Sequence, residues 1–576
     1  MHRRLTTLPF ALACLPLAVL AADPPWLTRS KAGMVASDSP EASRVGAAVL
    51  ADGGNAFDAA IATSFALAVT RPQSTGLGGG GFMVAYVAKT KRFVALDFRE
   101  MAPASATPAR FTELRLTREA GPPRSIYGGN AVGVPGQVAG LAEIQRRFAT
   151  RSLPQLIRPA LQLAREGFMV DRHYRGACRE ALKAYEKWPE IKSRYGRRLY
   201  QTLLGAGIPP KAGQRVTRPD LARALERIAE RGPAAIYEPG MVGVAMVAAV
   251  NAAGGSMTLE DLKNYRVRER QPIRCPAGNV EIVSMPPPSS GGVCIVEMLN
   301  VLREMASEFT SLSEMRERGY LEPAYVDSLR HAFADRARWL GDPDFSNIPV
   351  KLLTSPRYAA KLARKTIGSN DDFGSPQLPD DRGTSHFCVA DRAGNVVAIT
   401  ETINGTFGSL VVTDTYGVIL NNQMDDFAAN PGQPNLYGLI QGAANAVAPG
   451  KRPLSSMSPT IVVREGRPVL ALGASGGPRI ITSVLAVMVY VLELGMPLEE
   501  AMQGVRIHHQ WKPDVVYFDQ KPPEAMAYRL SQDGDVLSDE RKTGIVQAIQ
   551  FLPDGTMVGA SDPRKGGRPA GVPAGE

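Results

Sequence analysis

"GTSHFCVADRAGNVVAITETING" (residues 383–405) decides how this chain folds. Two apolar-rich segments, TSHFCVA and VVAITETI, flank DRAGN, a five-residue connection containing glycine. Such runs bounded by turn residues predict a β-hairpin. With the turn centred on Ala393, residues equidistant from it face each other, so Thr384 faces Thr402. A cross-strand Thr–Thr pair is a stabilising unit in its own right. The segment before it, TIGSNDDFGSPQLPDDRG (366–383), has few apolar residues and many breakers, and reads as flexible. A strand therefore begins abruptly at Thr384, with Gly383 at the break.

That boundary has a chemical reading. A threonine hydroxyl is a poor nucleophile at neutral pH, and no histidine–acid pair stands beside Thr384 in sequence. Its own α-amino group could serve as base if Thr384 became an N-terminus. Cleavage between Gly383 and Thr384 would create that terminus. The small Gly383 leaves room for the hydroxyl to attack the preceding carbonyl, and the polar run can move away afterwards. The boundary reads as a self-processing site.

Upstream, Ser39-Pro40-Glu41 opens a helix, a cap residue followed by proline at the first position. Val45, Ala48 and Val49 are expected to form its apolar face. Asn55 with Asp58 predicts a capping box for a second helix, AFDAAIATSFALAVT. FMVAYV and RFVALDF form a hairpin, residues 136–265 are mainly helical, and MPPPSSGG (285–292) is a rigid loop feeding another helix. PRIITSVLAVMVYVLELG (478–495) carries Thr482, Ser483 and Glu493, which favours a buried helix over a membrane span.

Three further motifs compete for the chemistry. GLGGGG (76–81) matches G-x-G-x-x-G, but its order is helix, loop, strand. Dinucleotide binding needs strand, loop, helix, so close backbone approach is the better use of these glycines. GASGG (473–477) matches G-x-S-x-G in a strand–turn–helix context, with Ser475 as the nucleophile of a rival α/β-hydrolase esterase. No aspartate lies between Ser475 and the later His508 and His509, and no HGGG-like segment occurs. In the alternative, the N–H groups of Gly476 and Gly477 form an oxyanion hole for a nucleophile elsewhere. HHQW (508–511) lacks a matching carboxylate cluster, so a structural role is expected rather than a metal site.

The 576 residues are 44% hydrophobic and 21% charged, an ordinary globular balance with room for more than one domain-sized unit. The net charge of +10 comes without a long basic block, which argues against nucleic-acid binding. His2, Arg3 and Arg4, the apolar run to Ala22, and Val19 and Ala21 at the −3 and −1 positions describe a secretory signal peptide. Cleavage is placed after Ala21 or Ala22, and Cys14 is a poor lipidation match. Export to the periplasm or secretion is expected, without a stable membrane span. The four remaining cysteines, Cys178, Cys275, Cys294 and Cys388, show no CxxC pairing and are expected to be buried free thiols.

Taken together, the motifs GGNAFDAAIA, GLGGGGFM, LDFREMAP, MPPPSSGG, LGDPDF, NNQMDDF, KRPLSSMSPT, SGGPRIIT and HHQW resemble the γ-glutamyltransferases (γ-glutamyltranspeptidases) of the N-terminal-nucleophile hydrolase superfamily. The likeness runs from SKAGMVAS at Ser30 to GASDPR at Arg564. It implies an α/β (α+β) fold, a four-layer αββα sandwich. One precursor would be cut into a large subunit (22–383, after a 1–21 signal peptide) and a small catalytic subunit (384–576), which form a heterodimer. It implies no cofactor and no metal.

By resemblance, Thr384 is the autoprocessing nucleophile and Thr402 the threonine bonded to it. Arg99, Ser455 and Ser456 contact the substrate α-carboxylate, and Asn404, Gln423 and Asp426 surround the α-amino end. Gly476 and Gly477 form the oxyanion hole. The residue types suit these tasks: arginine binds carboxylates through parallel hydrogen bonds, and aspartate suits an ammonium. The implied substrates are glutathione and related γ-glutamyl compounds, with water, amino acids or peptides as acceptors. PGQPNLYGLIQG (431–442) resembles the bacterial lid loop with Tyr437 as its gate. Its presence favours glutamyl substrates and leaves a cephalosporin (glutaryl) acylase as the alternative. Three features depart from the pattern: Ser385, the 171–205 segment, and Glu401 beside Thr402.

Overall fold

The computed structural model describes residues 23–109, 121–365, 383–428 and 434–573. The signal segment with Cys14, all of 366–383 except Gly383, and residues 431–433 of the lid-like loop lie outside the described residues.

Strands Thr384–Asp391 and Val396–Thr402 pair antiparallel with Thr384 opposite Thr402, the register that the turn length predicts. They occupy the middle of a sheet. Its order is Ala570–Gly571, Gly33–Ser37, Thr384–Asp391, Val396–Thr402, Gly80–Val87, Arg92–Phe98 and Arg268–Arg270. A second sheet runs Leu27–Ser30, Met557–Ser561, Ile545–Phe551, Arg467–Ser475, Thr460–Arg464, Val280–Ser284 and Ile273–Ala277.

The hairpin is buried on both faces. Phe387, Val389, Val397 and Ile399 pack under one helical layer, whereas Cys388, Ala390, Val396 and Ala398 pack toward the other sheet. This alternation is the two-residue period of a strand. It explains why the hairpin's apolar stretch has no solvent face. Burying a side chain the size of Phe387 stabilises the fold by about 1.5–3 kcal/mol. The first helical layer includes Pro40–Ala51, Ala56–Thr70, Leu153–Glu166 and Pro219–Arg231. The second includes Gly291–Met305, Leu321–Trp339 and Arg479–Met488. Helix, sheet, sheet, helix is the αββα sandwich.

Local signals held at the helix starts. Ser39 accepts from the Ala42 N–H, and Asn55 with Asp58 makes the capping box. The buried face of Pro40–Ala51 differs from the expected one: it is Ala42, Ser43, Gly46, Ala47 and Leu50, with Val45 and Val49 half-buried and Ala48 exposed. The reason is close packing. A Cβ on Gly46 would lie 2.3 Å from Thr63 Oγ1 on the next helix, so the missing side chain of Gly46 lets the two helices approach.

The glycines that lead into and open strand Gly80–Val87 serve close backbone approach rather than phosphate. A Cβ on Gly79 would fall 2.1 Å from the Thr402 carbonyl oxygen, and one on Gly81 would fall 2.5 Å from that of Thr400. Larger residues here would push the Val396–Thr402 strand away. Helix Arg479–Met488 is buried throughout, and no described helix is long and apolar enough to cross a membrane. Cys178, Cys294 and Cys388 are buried free thiols, and Cys275 is half-buried.

Candidate active site

Thr384 and Thr402 point into the space between the sheets, at the end of the hairpin. The two hydroxyls are 3.0 Å apart. Thr402 Oγ1 donates to the Gly383 carbonyl oxygen at 2.7 Å and accepts from the Asn404 N–H at 2.8 Å. A hydroxyl has one proton. That of Thr402 is committed to Gly383, so the shared bond is donated by Thr384. The Gly383–Thr384 peptide thus carries a hydrogen bond on its carbonyl and the Thr384 hydroxyl beside it. Gly383 has no room for a side chain, because a Cβ there would lie 1.7 Å from the Asn404 carbonyl oxygen.

One pocket collects the other residues singled out in the sequence. It is lined by Arg99, Thr384, Thr402, Asn404, Gln423, Asp426, Tyr437, Ser455, Ser456 and Gly477. Gly476 sits in the same turn, directly after strand Arg467–Ser475. Gly476 and Gly477 have φ of 140° and 54°, which glycine adopts without strain. No acceptor among the described residues takes either N–H.

Arg99 is fully buried. It donates to Asp426 Oδ2 at 2.7 Å and to the carbonyl oxygens of Pro453 and Leu454. Gln423 Nε2 donates to the same Asp426 oxygen at 2.6 Å. Burial raises the Asp426 pKa, and Arg99 opposes the rise. Glu100, also buried beside Arg99, is pushed up to about 7 by desolvation. Tyr437 lines the pocket and donates to the Asn404 carbonyl oxygen at 3.0 Å.

Three residues of the site carried no recognised signal. Lys565 Nζ donates to the Thr384 carbonyl oxygen at 3.0 Å and to Ser475 Oγ at 3.1 Å, and forms an ion pair with Asp38 at 2.5 Å. Asp38 also accepts from Ser385 Oγ. This group pins the backbone of Thr384. Arg336, on helix Leu321–Trp339, lines the pocket and donates to Ser290 Oγ at 3.0 Å and Ser456 Oγ at 3.4 Å. A signal for Arg336 did exist: Leu329, Ala332, Phe333 and Arg336 form one buried helical stripe, and arginine interrupts it.

The serine-hydrolase rival finds no geometry. His508 is bonded to Thr482 and Gln510, and His509 to Asp514, so neither serves Ser475. Ser475 instead accepts from Lys565.

Glu401 faces away from Thr402, as its odd position in the strand requires. It accepts from Ser64 Oγ at 2.6 Å and from Gln137 Nε2 in the first helical layer. Burial pushes it up to about 7. A carboxylate with a raised folded pKa contributes stability that is fully present below its unfolded value. That stability is lost as pH rises through about 7. Glu401→Gln keeps an acceptor for Ser64 and Gln137 and removes the titration. Wild-type stability to urea should fall between pH 5 and pH 9, and the variant's should fall less, by at most about 3 kcal/mol. Parallel stability curves would show that Glu401 stays ionised in the fold.

A family model described as gamma-glutamyltranspeptidase matches residues 42–572. The chain belongs to the γ-glutamyltranspeptidase family. The glutathione hydrolase proenzyme of Escherichia coli (strain K12) is 40% identical over 545 residues, covering 93% of this chain and 91% of that one. The acylase ACY 1 proenzyme of Pseudomonas sp. (strain V22) is 35% identical, covering 94% of each. A crystal structure of the cephalosporin acylase from Bacillus halodurans superposes with a TM-score of 0.82 at 24% identity. It covers 98% of this chain and 100% of that one, a likeness of fold. Placed on this γ-glutamyltranspeptidase framework, Thr384 begins a strand in the middle of the sandwich.

Proposed function

We propose that Thr384, freed as an N-terminus by cleavage after Gly383, is the nucleophile of a γ-glutamyltransferase with glutathione hydrolase activity. The observation that carries this reading is the directed bond set Thr384 → Thr402 → Gly383 carbonyl. In the precursor the Thr402 hydroxyl draws charge onto the Gly383 oxygen. Thr384 Oγ1 attacks the Gly383 carbonyl carbon, the C–N bond breaks, and the nitrogen takes the proton. Water then hydrolyses the resulting ester and leaves a large subunit ending at Gly383 and a small one beginning at Thr384. The two remain together as a heterodimer, because the sheets interleave strands from both.

In the mature site the α-amino group of Thr384 accepts the hydroxyl proton as Oγ1 attacks the γ-carbonyl of the acyl donor. The unclaimed N–H groups of Gly476 and Gly477 receive the oxyanion. The amine leaves with the proton, a γ-glutamyl ester forms, and water or an amino acid or peptide amine accepts the acyl group. At the far end Asp426, held by Gln423, takes the α-ammonium, and Arg99, Ser455 and Ser456 face the α-carboxylate. Lys565 fixes the Thr384 backbone so that the hydroxyl is aimed throughout. The amino-terminal signal pattern supports export to the periplasm or secretion.

A glutaryl acylase is the second reading, and an acylase proenzyme is among the relatives. A glutaryl group lacks the ammonium that Asp426 would pair, which favours glutamyl here. One experiment tests both readings. Intact mass and N-terminal sequencing of the purified protein should find Thr384 as a chain start. p-Nitroaniline should be released from γ-glutamyl-p-nitroanilide far faster than from glutaryl-p-nitroanilide. An active protein that stays a single chain would end the N-terminal-threonine mechanism, and a preference for glutaryl would reassign the substrate.

A further inference from the structure

Arg336 is 2% exposed and lines the active-site pocket, yet it pairs with no carboxylate in the described structure. Its Nη1 has no hydrogen-bond partner there at all. A buried cation without a counterion is costly, so such a group calls for an anion from elsewhere. Arg99, by contrast, is already bound to Asp426. The neighbouring hydroxyls share the same polarity. Ser456 Oγ accepts from Arg336, and Ser455 Oγ accepts from the Met457 N–H at 3.1 Å. Neither serine proton is claimed by an acceptor among the described residues. Ser290, which Arg336 also holds, donates to the Ser455 carbonyl oxygen at 2.7 Å and so fixes the serine pair from behind. One end of the pocket therefore presents three donors and an uncompensated positive charge. Burial lowers the Arg336 pKa to about 10, which leaves the guanidinium charged at neutral pH.

We infer that Arg336 is a positioning residue for the α-carboxylate of the acyl donor, turning the Ser456 hydroxyl toward it and supplying the charge that it neutralises. This rests on the γ-glutamyl reading above. Arg336 thereby sets specificity for donors that carry a carboxylate at the head carbon. Arg99 faces the same carboxylate, but part of its charge is already taken by Asp426.

The test compares L-glutamate with 4-aminobutyrate, the same molecule without its α-carboxylate, as inhibitors of p-nitroaniline release from γ-glutamyl-p-nitroanilide. Arg336→Met should raise the KM for γ-glutamyl-p-nitroanilide and the Ki for glutamate by about ten- to a hundredfold, the loss of one charge-assisted contact. Its kcat should change much less, and the Ki for 4-aminobutyrate should stay within about twofold. Arg336→Lys, which keeps the charge, should recover part of the glutamate affinity. Ser456→Ala should add little to Arg336→Met, because the two act through one contact. Equal weakening of both inhibitors, or a loss confined to kcat, would assign Arg336 a merely structural role and overturn the inference. If Arg336→Met does not fold, Arg336→Lys alone decides by the same ratio of inhibition constants. A wild-type protein that ignores γ-glutamyl-p-nitroanilide would instead strike the parent reading.

Discussion

Thr384→Ala yields one intact chain with no measurable turnover of γ-glutamyl-p-nitroanilide. The hydroxyl that it removes is the group beside the Gly383 carbonyl and the group that would attack the substrate. Thr402 cannot replace it: its own proton is committed to the Gly383 oxygen, and it has no free amine as a base. The loss in kcat/KM should be on the order of 10⁴-fold or more, as for other deleted nucleophiles. Ser475→Ala provides the contrast. Its hydroxyl is one of three partners of Lys565, and the ion pair with Asp38 and the bond to the Thr384 carbonyl survive its removal. The Gly476 and Gly477 N–H groups are backbone and also survive. Ser475→Ala should process fully and lose no more than about tenfold in activity. The two variants are compared by denaturing gel and by p-nitroaniline release. Wild-type turnover in Thr384→Ala, or abolished turnover in Ser475→Ala, would give the chemistry to the serine.

Gly383→Ala blocks maturation without touching the mature catalytic residues. The added methyl would meet the Asn404 carbonyl oxygen at 1.7 Å and the Gly405 carbonyl carbon at 2.8 Å, both backbone atoms that cannot swing aside. The scissile peptide must shift, and with it the 2.7 Å bond from Thr402. A displacement near 1 Å at a reacting carbonyl costs about a hundredfold in rate. Freshly purified Gly383→Ala should therefore run mainly as precursor and convert at least about a hundredfold more slowly than wild type. Whatever fraction does mature should turn over at the wild-type rate per processed site, because residue 383 then ends the large subunit and leaves the site. Prompt cleavage of Gly383→Ala would show that the scissile bond is cut by another route.

The difference between these two variants, one chemical and one steric, follows a division already present in the sequence. The hairpin register was legible from a five-residue turn centred on Ala393, and it set Thr384 opposite Thr402 before any tertiary contact was known. The helix starts at Ser39 and Asn55 were legible for the same reason: a cap is satisfied within three residues of itself. The order helix–loop–strand around Gly76–Gly81 removed dinucleotide binding, because that chemistry needs the opposite order. The buried face of Pro40–Ala51 was misjudged because apolar size counted for less there than the closeness of the next helix. Arg99 is read from the sequence resemblance as a carboxylate-binding residue, but its bond to Asp426 spans 327 positions and no local pattern encodes it. Lys565 reaches Thr384 across 181 positions, and Arg336 reaches Ser456 across 120. Sequence by itself determined the hairpin register and the helix caps, because turn length and backbone hydrogen bonding act over a few residues. Only the tertiary structure decided which buried charges are paired and which has no carboxylate beside it, because a charge takes its partner from whatever the fold brings within hydrogen-bond reach.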